Sequence, residues 1–230
     1  MTTIRPQKYV LVLCLVWGFL LNGDLWAQQK DFGTWWELKL NGSLNSGINL
    51  SGELEQRMMA NSLRFDRTLL TLIADYDLTS YLDVGGGFRT LFLTDRESRF
   101  YSRYRLHADA KLHHGFSGSD ISLRLRFQYG FEDILYIGYF SQNNFVSRQR
   151  LKFRHAFFGT RLEAFGSLEN WIRFQDTNGR PFYKIRFYAG TAYHLTMHSA
   201  LSLRYILEHE FNTVRPMQAH VVALGYSYTF

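Results

Sequence analysis

The sequence has little of two residue types that restrict or cross-link a chain. Cysteine occurs once among 230 residues, as Cys14, and proline occurs three times. Cys14 lies inside an apolar stretch that continues from Leu15 to Leu21, whereas a lipidated cysteine would stand at the end of such a stretch. We therefore reject a lipoprotein, and removal of this stretch would leave a chain without disulfide or thiol chemistry. The scarcity of proline leaves room for long strands, since proline cannot donate to a sheet ladder.

Long apolar runs are also missing after the N-terminus, because arginines and glutamates interrupt them, and membrane-spanning helices are excluded there. At the N-terminus, Arg5 and Lys8 precede an apolar stretch at 9–21. This arrangement is typical of an export signal and is short for a membrane helix, with a retained anchor as the alternative. We expect cleavage near Ala27, so that residues 1–27 are a signal peptide and residues 28–230 form an outer-membrane β-barrel.

Aromatic residues are abundant at 17%, and apolar residues alternate with charged ones. In ISLRLRFQYGF, at 121–131, the apolar side chains from Ile121 to Phe131 have one parity, and Ser122, Arg124 and Arg126 have the other. A period of two indicates a strand with two different faces. A tilted strand of about 9–11 residues can cross a bilayer, which is the length of this segment.

The same period recurs along the chain. It predicts strands near 33–41, 47–59, 64–78, 81–93, 99–113, 120–132, 147–156, 160–173, 182–195, 199–211 and 219–230. A soluble sandwich also alternates, but its strands are usually shorter, about 5–6 residues. We therefore predict an all-β fold, a closed antiparallel transmembrane up-and-down β-barrel of ten to twelve strands. Because bacterial single-chain barrels have an even number of strands, either 33–41 lies outside the wall and threads or caps the lumen, or one more strand exists.

Arginine and carboxylate side chains occupy the polar face of almost every predicted strand. We expect them to face the lumen and to form a charge network of Glu53, Glu55, Arg57, Arg67, Asp75, Arg89, Arg105, Asp109, Arg124, Arg126, Arg150, Arg154, Arg161, Glu163, Glu169, Arg186, Arg204 and Glu208. Side chains fill barrels of about 8 strands. The predicted ten to twelve strands are close to that number, which favours a narrow or plugged lumen. The surplus of arginine also fits a pore for small anions, or a rim that pairs with lipopolysaccharide phosphates.

Aromatic residues cluster near the predicted strand ends. We interpret them as girdles at the membrane interfaces, formed by Trp35, Trp36, Tyr101, Tyr129, Phe131, Trp171, Tyr226 and Tyr228. Three consecutive glycines, Gly85–Gly87, follow no phosphate-loop pattern. They indicate room inside the strand for a bulky neighbour, such as an arginine in the lumen.

The last residues, HVVALGYSYTF, alternate up to a terminal phenylalanine. We expect a closing strand that pairs with the first strand and so removes both sheet edges. Tyr226, Tyr228 and Phe230 resemble the signal that barrel-assembly machinery reads in outer-membrane proteins. We also predict that short links face the periplasm and long links face the outside.

The mature N-terminus resembles an uncharacterised outer-membrane family, domain of unknown function family 2490. The resemblance rests on an aspartate–aromatic–glycine–x–tryptophan run at 31–35, on Glu55 and Arg57, on the R-x-R-L-K pattern at 148–152, and on Glu163 and Glu169. It extends over the mature chain and implies a barrel in a Gram-negative outer membrane. It implies no activity and no catalytic residue.

Catalytic, cofactor and metal sites are not indicated by the sequence. His155, His209 and His220 have lipid-face parity, but no serine with a partner of matching parity accompanies them, and His198 with Ser199 falls in a short turn. His113 and His114 point to opposite faces and cannot share a metal ion. The arginines form no surface stripe, so we expect no nucleic-acid partner.

We therefore predict a non-enzymatic integral outer-membrane β-barrel with a charged, narrow or plugged lumen. A pore for small, anion-leaning solutes is the alternative, and an outer-membrane lipid-modifying hydrolase is a second one. The expected partners are outer-membrane lipids, lipopolysaccharide and, during biogenesis, the barrel-assembly machinery. The sequence does not indicate an oligomeric state.

Overall fold

The computed structural model describes residues 29–44, 47–94, 100–132, 144–174, 181–213 and 216–230. The predicted signal peptide, 1–27, lies outside these residues. The strands are β1 (Gln29–Ser43), β2 (Ile48–Met59), β3 (Arg64–Asp77), β4 (Leu82–Thr94), β5 (Phe100–Phe116), β6 (Ser119–Glu132), β7 (Asn144–Ala156), β8 (Leu162–Arg173), β9 (Phe182–His194), β10 (Ser199–Glu210) and β11 (Met217–Thr229). The described part of the chain contains no helix with the length and apolar character that crossing a membrane requires.

These strands form one closed barrel in which each strand pairs with its neighbours in the sequence, and β11 pairs with β1. The predicted closed, up-and-down barrel is confirmed. The expectation of an even strand number is wrong, because the segment predicted at 33–41 is the wall strand β1 and the described strands number eleven. In an up-and-down barrel with an odd number, the first and last strands run in the same direction. The barrel therefore closes through a parallel pair, with Gln29 opposite Met217 and Asn41 opposite Thr229.

Alternation along the strands gives the barrel two chemically different surfaces. Large apolar side chains remain exposed on the outside, as Leu123, Leu125 and Phe127 do on β6. Between them, Arg124 and Arg126 point inward and are buried. A water-soluble β-protein has the opposite arrangement, with apolar residues inside and polar residues outside.

The two ends of the barrel differ in their connections. At one end, here called the short-turn rim, turns such as Ser117–Gly118 join odd-numbered strands to the next strand, and β11 ends there. At the other end, called the long-connection rim, β1 begins, and the connections include 133–143 and 175–180, which lie outside the described residues. The two longest links in the sequence, 133–143 and 174–181, both belong to this rim, whereas the link at 60–63 on the same rim is as short as that at 44–47.

Apolar side chains also enter the barrel interior toward the long-connection rim. One cluster joins Leu69, Leu91 and Leu93. A second cluster contains Trp35, Ile206, Ala219, Val221 and Ala223. The interior is therefore apolar in part near this rim.

Candidate functional site

The interior of the barrel contains a charged cavity of about 460 Å³. Eleven lysine and arginine side chains and seven carboxylates line it, so the lining has a surplus of positive charge. The cations are Lys39, Arg57, Arg89, Lys111, Arg124, Arg126, Arg148, Arg150, Lys152, Arg186 and Arg204. The carboxylates are Glu37, Glu53, Glu55, Asp75, Asp83, Asp109 and Glu169. This cavity is the candidate functional site.

Ion pairs connect neighbouring strands around the cavity wall. Arg126 on β6 binds Asp109 on β5 through both arms of its guanidinium, with Nε 2.6 Å from Oδ1. Other pairs join Lys39 to Glu53 at 3.0 Å, Lys111 to Asp83 at 2.8 Å, Lys184 to Glu210 at 3.0 Å, and Arg186 to Glu208. Arg204 on β10 reaches over β11 to Glu37 on β1 at 2.7 Å. These pairs hold long charged side chains inside the barrel.

Glu169 on β8 is the most heavily coordinated carboxylate of this network. Its Oε1 accepts hydrogen bonds from Arg124 Nη2 at 2.6 Å and from Arg148 Nη2 at 3.0 Å. Arg186 approaches its other oxygen at 3.9 Å. Glu169 is only 2% exposed, so these charges interact with little screening by water.

Tryptophan rings and guanidinium groups meet inside the barrel near the long-connection rim. We call Trp35, Trp171, Arg57, Arg148 and Arg186 the aromatic–arginine cluster. The guanidinium of Arg186 lies 5.1 Å from the Trp35 ring centroid and 4.9 Å from that of Trp171, and so joins β9 to both β1 and β8. Arg57 lies 3.7 Å from the Trp35 ring and Arg148 lies 4.8 Å from the Trp171 ring. Contacts of this kind are attractive when desolvated.

Two irregularities in the sheet adjoin the aromatic–arginine cluster. The register of β2 against β3 shifts between Arg57 and Met58, and that of β8 against β9 shifts between Trp171 and Ile172. Such bulges re-aim side chains at barrel rims. Here they lie beside one arginine and one tryptophan of the cluster.

Tryptophan placement differs from the sequence interpretation. Trp35 and Trp171 were expected in membrane-interface girdles, but they are buried in the interior, 4% and 6% exposed. Tyr101 also packs inside, against the leucine cluster. Parity is the signal that could have shown this, since Trp35 shares the parity of Glu37, and Trp171 that of Glu169. By the same rule Trp36 faces outward, and it is 54% exposed.

Glycines make room for inward side chains. The neighbours of Gly85 and Gly87, however, are not the predicted arginine. A methyl group on Gly87 would lie 2.6 Å from the imidazole of His107 and 2.5 Å from a backbone oxygen of Leu72. Gly85 similarly adjoins Asp75. An arginine fills such a space elsewhere, where Arg204 packs against Gly190.

Most residues of the predicted charge network line the cavity: Glu53, Glu55, Arg57, Asp75, Arg89, Asp109, Arg124, Arg126, Arg150, Glu169, Arg186 and Arg204. Glu208 is buried beside Arg186. The others lie outside the cavity lining: Arg67 binds the adjacent Asp66, Arg105 lies on the inner face of β5, Arg154 is exposed and faces Asp120, and Glu163 faces His194. Arg161 was expected in the lumen, but it is exposed in the turn before β8 and donates to the backbone oxygen of Leu195.

The structure brings together one serine and one histidine that the sequence analysis did not connect. Ser119 Oγ lies 2.9 Å from His155 Nδ1, at the short-turn rim. The His155 ring meets Phe157 edge-on at 5.0 Å. No carboxylate within the described ranges forms an ion pair with His155. His220, on the other hand, accepts or donates a hydrogen bond at 2.6 Å with the hydroxyl of Tyr205.

The end of β11 lies at the short-turn rim, beside the end of β1. Tyr226 faces outward, and Tyr228 and Phe230 meet edge-on at 5.1 Å. The backbone N–H of Phe230 donates to the oxygen of Asn41 at 3.0 Å, which extends the parallel pairing beyond the strand. The predicted pairing of the last strand with the first is therefore present.

Comparison with solved structures finds a porin and the β-domain of an autotransporter. The NanC porin superposes with a TM-score of 0.55 at 12% identity, over 87% of this chain and 99% of the porin chain. The β-domain of the Bordetella autotransporter BrkA gives a TM-score of 0.46 at 11% identity, over 83% of this chain and 86% of that chain. At such low identity the likeness to the porin concerns the fold alone. No curated protein matches the sequence.

The family resemblance seen in the sequence extends to most of the chain. A family model described as "Protein of unknown function (DUF2490)" matches residues 32–218. The match begins within the aspartate–aromatic–glycine–x–tryptophan run of β1 and ends at the start of β11, so it covers most of the barrel. The chain therefore belongs to the DUF2490 family.

Proposed function

We propose that this protein is an integral, non-enzymatic outer-membrane β-barrel with a narrow, charged lumen. The observation that carries this proposal is the inverted surface: large apolar side chains outside and ion pairs inside. A closed barrel satisfies its backbone hydrogen bonds within the wall, which is the condition for strands to span lipid. The porin-like fold and the export signal predicted at 1–27 agree with this location.

An outer-membrane location would determine what each surface of the barrel contacts. The outer face would contact membrane lipids, and the arginine side chains near the rims would meet lipopolysaccharide phosphates. The short-turn rim would face the periplasm, as in barrels with short periplasmic turns. The barrel-assembly machinery would recognise the end of β11, with Tyr226, Tyr228 and Phe230.

The experiment that tests this proposal is membrane fractionation combined with gel mobility. We expect the protein in the outer-membrane fraction, with faster migration of the unheated, folded form than of the heated form. Recovery as a soluble periplasmic protein would contradict the proposal.

A pore for small anions is the second candidate, and the cation surplus of the lining favours it. The aromatic–arginine cluster limits the passage. In planar bilayers we expect small conductance for the wild type and a larger one for Trp171→Ala, since the ring that supports Arg148 and Arg186 is removed. Trp36→Ala, which changes an outward ring, is the matched control. Closed bilayers for wild type and Trp171→Ala alike would exclude the pore.

A lipid hydrolase is the third candidate, and only the Ser119–His155 hydrogen bond favours it. A base-activated serine would need this contact. Purified protein is incubated with phospholipid and lipopolysaccharide, with His155→Ala, His209→Ala and His220→Ala compared to the wild type. Release of fatty acid that only His155→Ala removes would establish the hydrolase and contradict the non-enzymatic proposal.

A further inference from the structure

Strand β7 presents a row of cations to the barrel interior. Arg148, Arg150, Lys152 and Arg154 occupy four successive inward positions, at a spacing of two residues. Arg148 binds Glu169, and Arg154 faces Asp120 at 3.8 Å. For the two middle residues, Arg150 and Lys152, no carboxylate of the described residues lies within ion-pair distance.

The register explains why Arg150 remains without a carboxylate. Its Cα partners are Arg124 on β6 and Glu169 on β8. These two neighbours bind each other over β7, at 2.6 Å, and Arg148 occupies the same oxygen of Glu169. The carboxylate of Glu169 is therefore already shared by Arg124 and Arg148.

Two serines flank Lys152 on the neighbouring strands, and its Nζ lies 5.4 Å from the ring centroid of Phe165. The Cα partners of Lys152 are Ser122 and Ser167, both more than nine-tenths buried. Tyr188 is the Cα partner of Ser167 on the next strand and lines the cavity together with Arg150 and Lys152. The polar groups here are thus cations and hydroxyls.

Arg150 and Lys152 are half-buried cations that line the cavity, and an anion entering from solution would neutralise both at once. A guanidinium fork binds the paired oxygens of a carboxylate or phosphate, an ammonium group adds a point charge, and hydroxyls donate. A cavity of about 460 Å³ falls within the range of small-molecule sites, about 300–1,000 Å³.

We propose that Arg150, Lys152 and Tyr188 form a binding site for the oxyanion group of a small solute, a carboxylate or a phosphate. The site is a property of the folded barrel and requires neither conduction nor a particular membrane. It goes beyond the proposed function because it assigns residues and a ligand chemistry to the lumen.

The test measures binding of inorganic phosphate and, separately, acetate to the purified barrel in detergent, by calorimetry at low ionic strength. Folding of each variant is checked first by its heat-dependent gel mobility. The variants are Arg150→Gln and Lys152→Gln. Arg154→Gln is the matched control, because it removes the same charge from the same face of β7 at an exposed position that faces Asp120.

We expect the wild type and Arg154→Gln to bind at least one of the two anions equally well, and Arg150→Gln and Lys152→Gln to bind it at least tenfold more weakly. The anion that binds identifies the preferred oxyanion. Wild-type protein that binds neither anion would overturn the proposal. So would loss of binding in Arg105→Gln with unchanged binding in Arg150→Gln, since Arg105 also lacks an ion pair among the described residues.

A thermal readout separates a binding role from a structural one. Arg150→Gln removes a half-buried cation that has no carboxylate of the described residues within ion-pair distance, so we expect its anion-free barrel to unfold at about the same temperature as the wild type. Added phosphate or acetate should raise the unfolding temperature of the wild type but not of this variant. Lower stability of Arg150→Gln without anion would contradict the proposal. A soluble cellular location would refute the proposed function but leave these binding results unchanged.

Discussion

Replacement of Glu169 by glutamine tests the charge network at its centre. The amide has nearly the same shape as the carboxylate, so Glu169→Gln changes charge without opening a cavity. Arg124 and Arg148 have no other carboxylate partner within the described ranges, whereas Arg186 keeps Glu208. The change therefore leaves two guanidinium groups, with side chains only 11% and 9% exposed, without a counter-charge.

The expected magnitude follows from the burial of these groups. Breaking a buried ion pair by removing one partner costs about 3–5 kcal/mol, since the remaining charge stays desolvated. We expect Glu169→Gln to reduce the free energy of unfolding of the barrel by about that amount. Equilibrium unfolding in urea, followed by tryptophan fluorescence and by heat-dependent gel mobility, measures the loss.

Glu163→Gln is the control on the same strand. Glu163 is 16% exposed, and its only partner in the described ranges is His194 at 3.8 Å. Because the His194 side chain is 50% exposed, a pair of this kind contributes about 0–1 kcal/mol. Equal destabilisation by Glu169→Gln and Glu163→Gln would refute the reasoning, because burial and partner number would then make no difference.

Three further predictions concern the wall of the barrel. Gly87→Ala should destabilise it by about 1–3 kcal/mol in urea unfolding, because the added methyl meets backbone, while Gly52→Ala, whose nearest neighbour would be 3.9 Å away, should not. The double variant Thr34→Cys with Val222→Cys should form a disulfide on oxidation, detected by altered gel mobility, because the parallel register pairs these two residues. The control, Thr34→Cys with Tyr226→Cys, should form none. A disulfide in the control but not in the first variant would contradict the parallel closure. Deletion of Phe230 should lower the amount of barrel that reaches the outer membrane more than it lowers the free energy of unfolding. Normal membrane levels of the truncated protein would show that the terminus is only a strand end and not an assembly signal.

The strands could be predicted closely, because period two is a local property. Predicted 64–78 corresponds to Arg64–Asp77, and predicted 199–211 to Ser199–Glu210. The predicted strand number was wrong because of β1. The alternating pattern at 33–41 already indicated a wall strand, but it conflicted with the general preference of bacterial barrels for an even number of strands. The location predicted for Trp35 was wrong for a related reason, because its position near a strand end was given more weight than its parity.

Partners inside the lumen could not be predicted in the same way. Parity shows that Arg124, Arg150 and Glu169 all face inward, but it carries no information on the stagger between strands. Closure of the barrel fixes that stagger for every strand together. The resulting register places Arg150 between Arg124 and Glu169, and their hydrogen bond over β7 then leaves it without a carboxylate. The cation surplus is therefore visible in the sequence, whereas the particular arginine open to an anion is decided by the closed sheet.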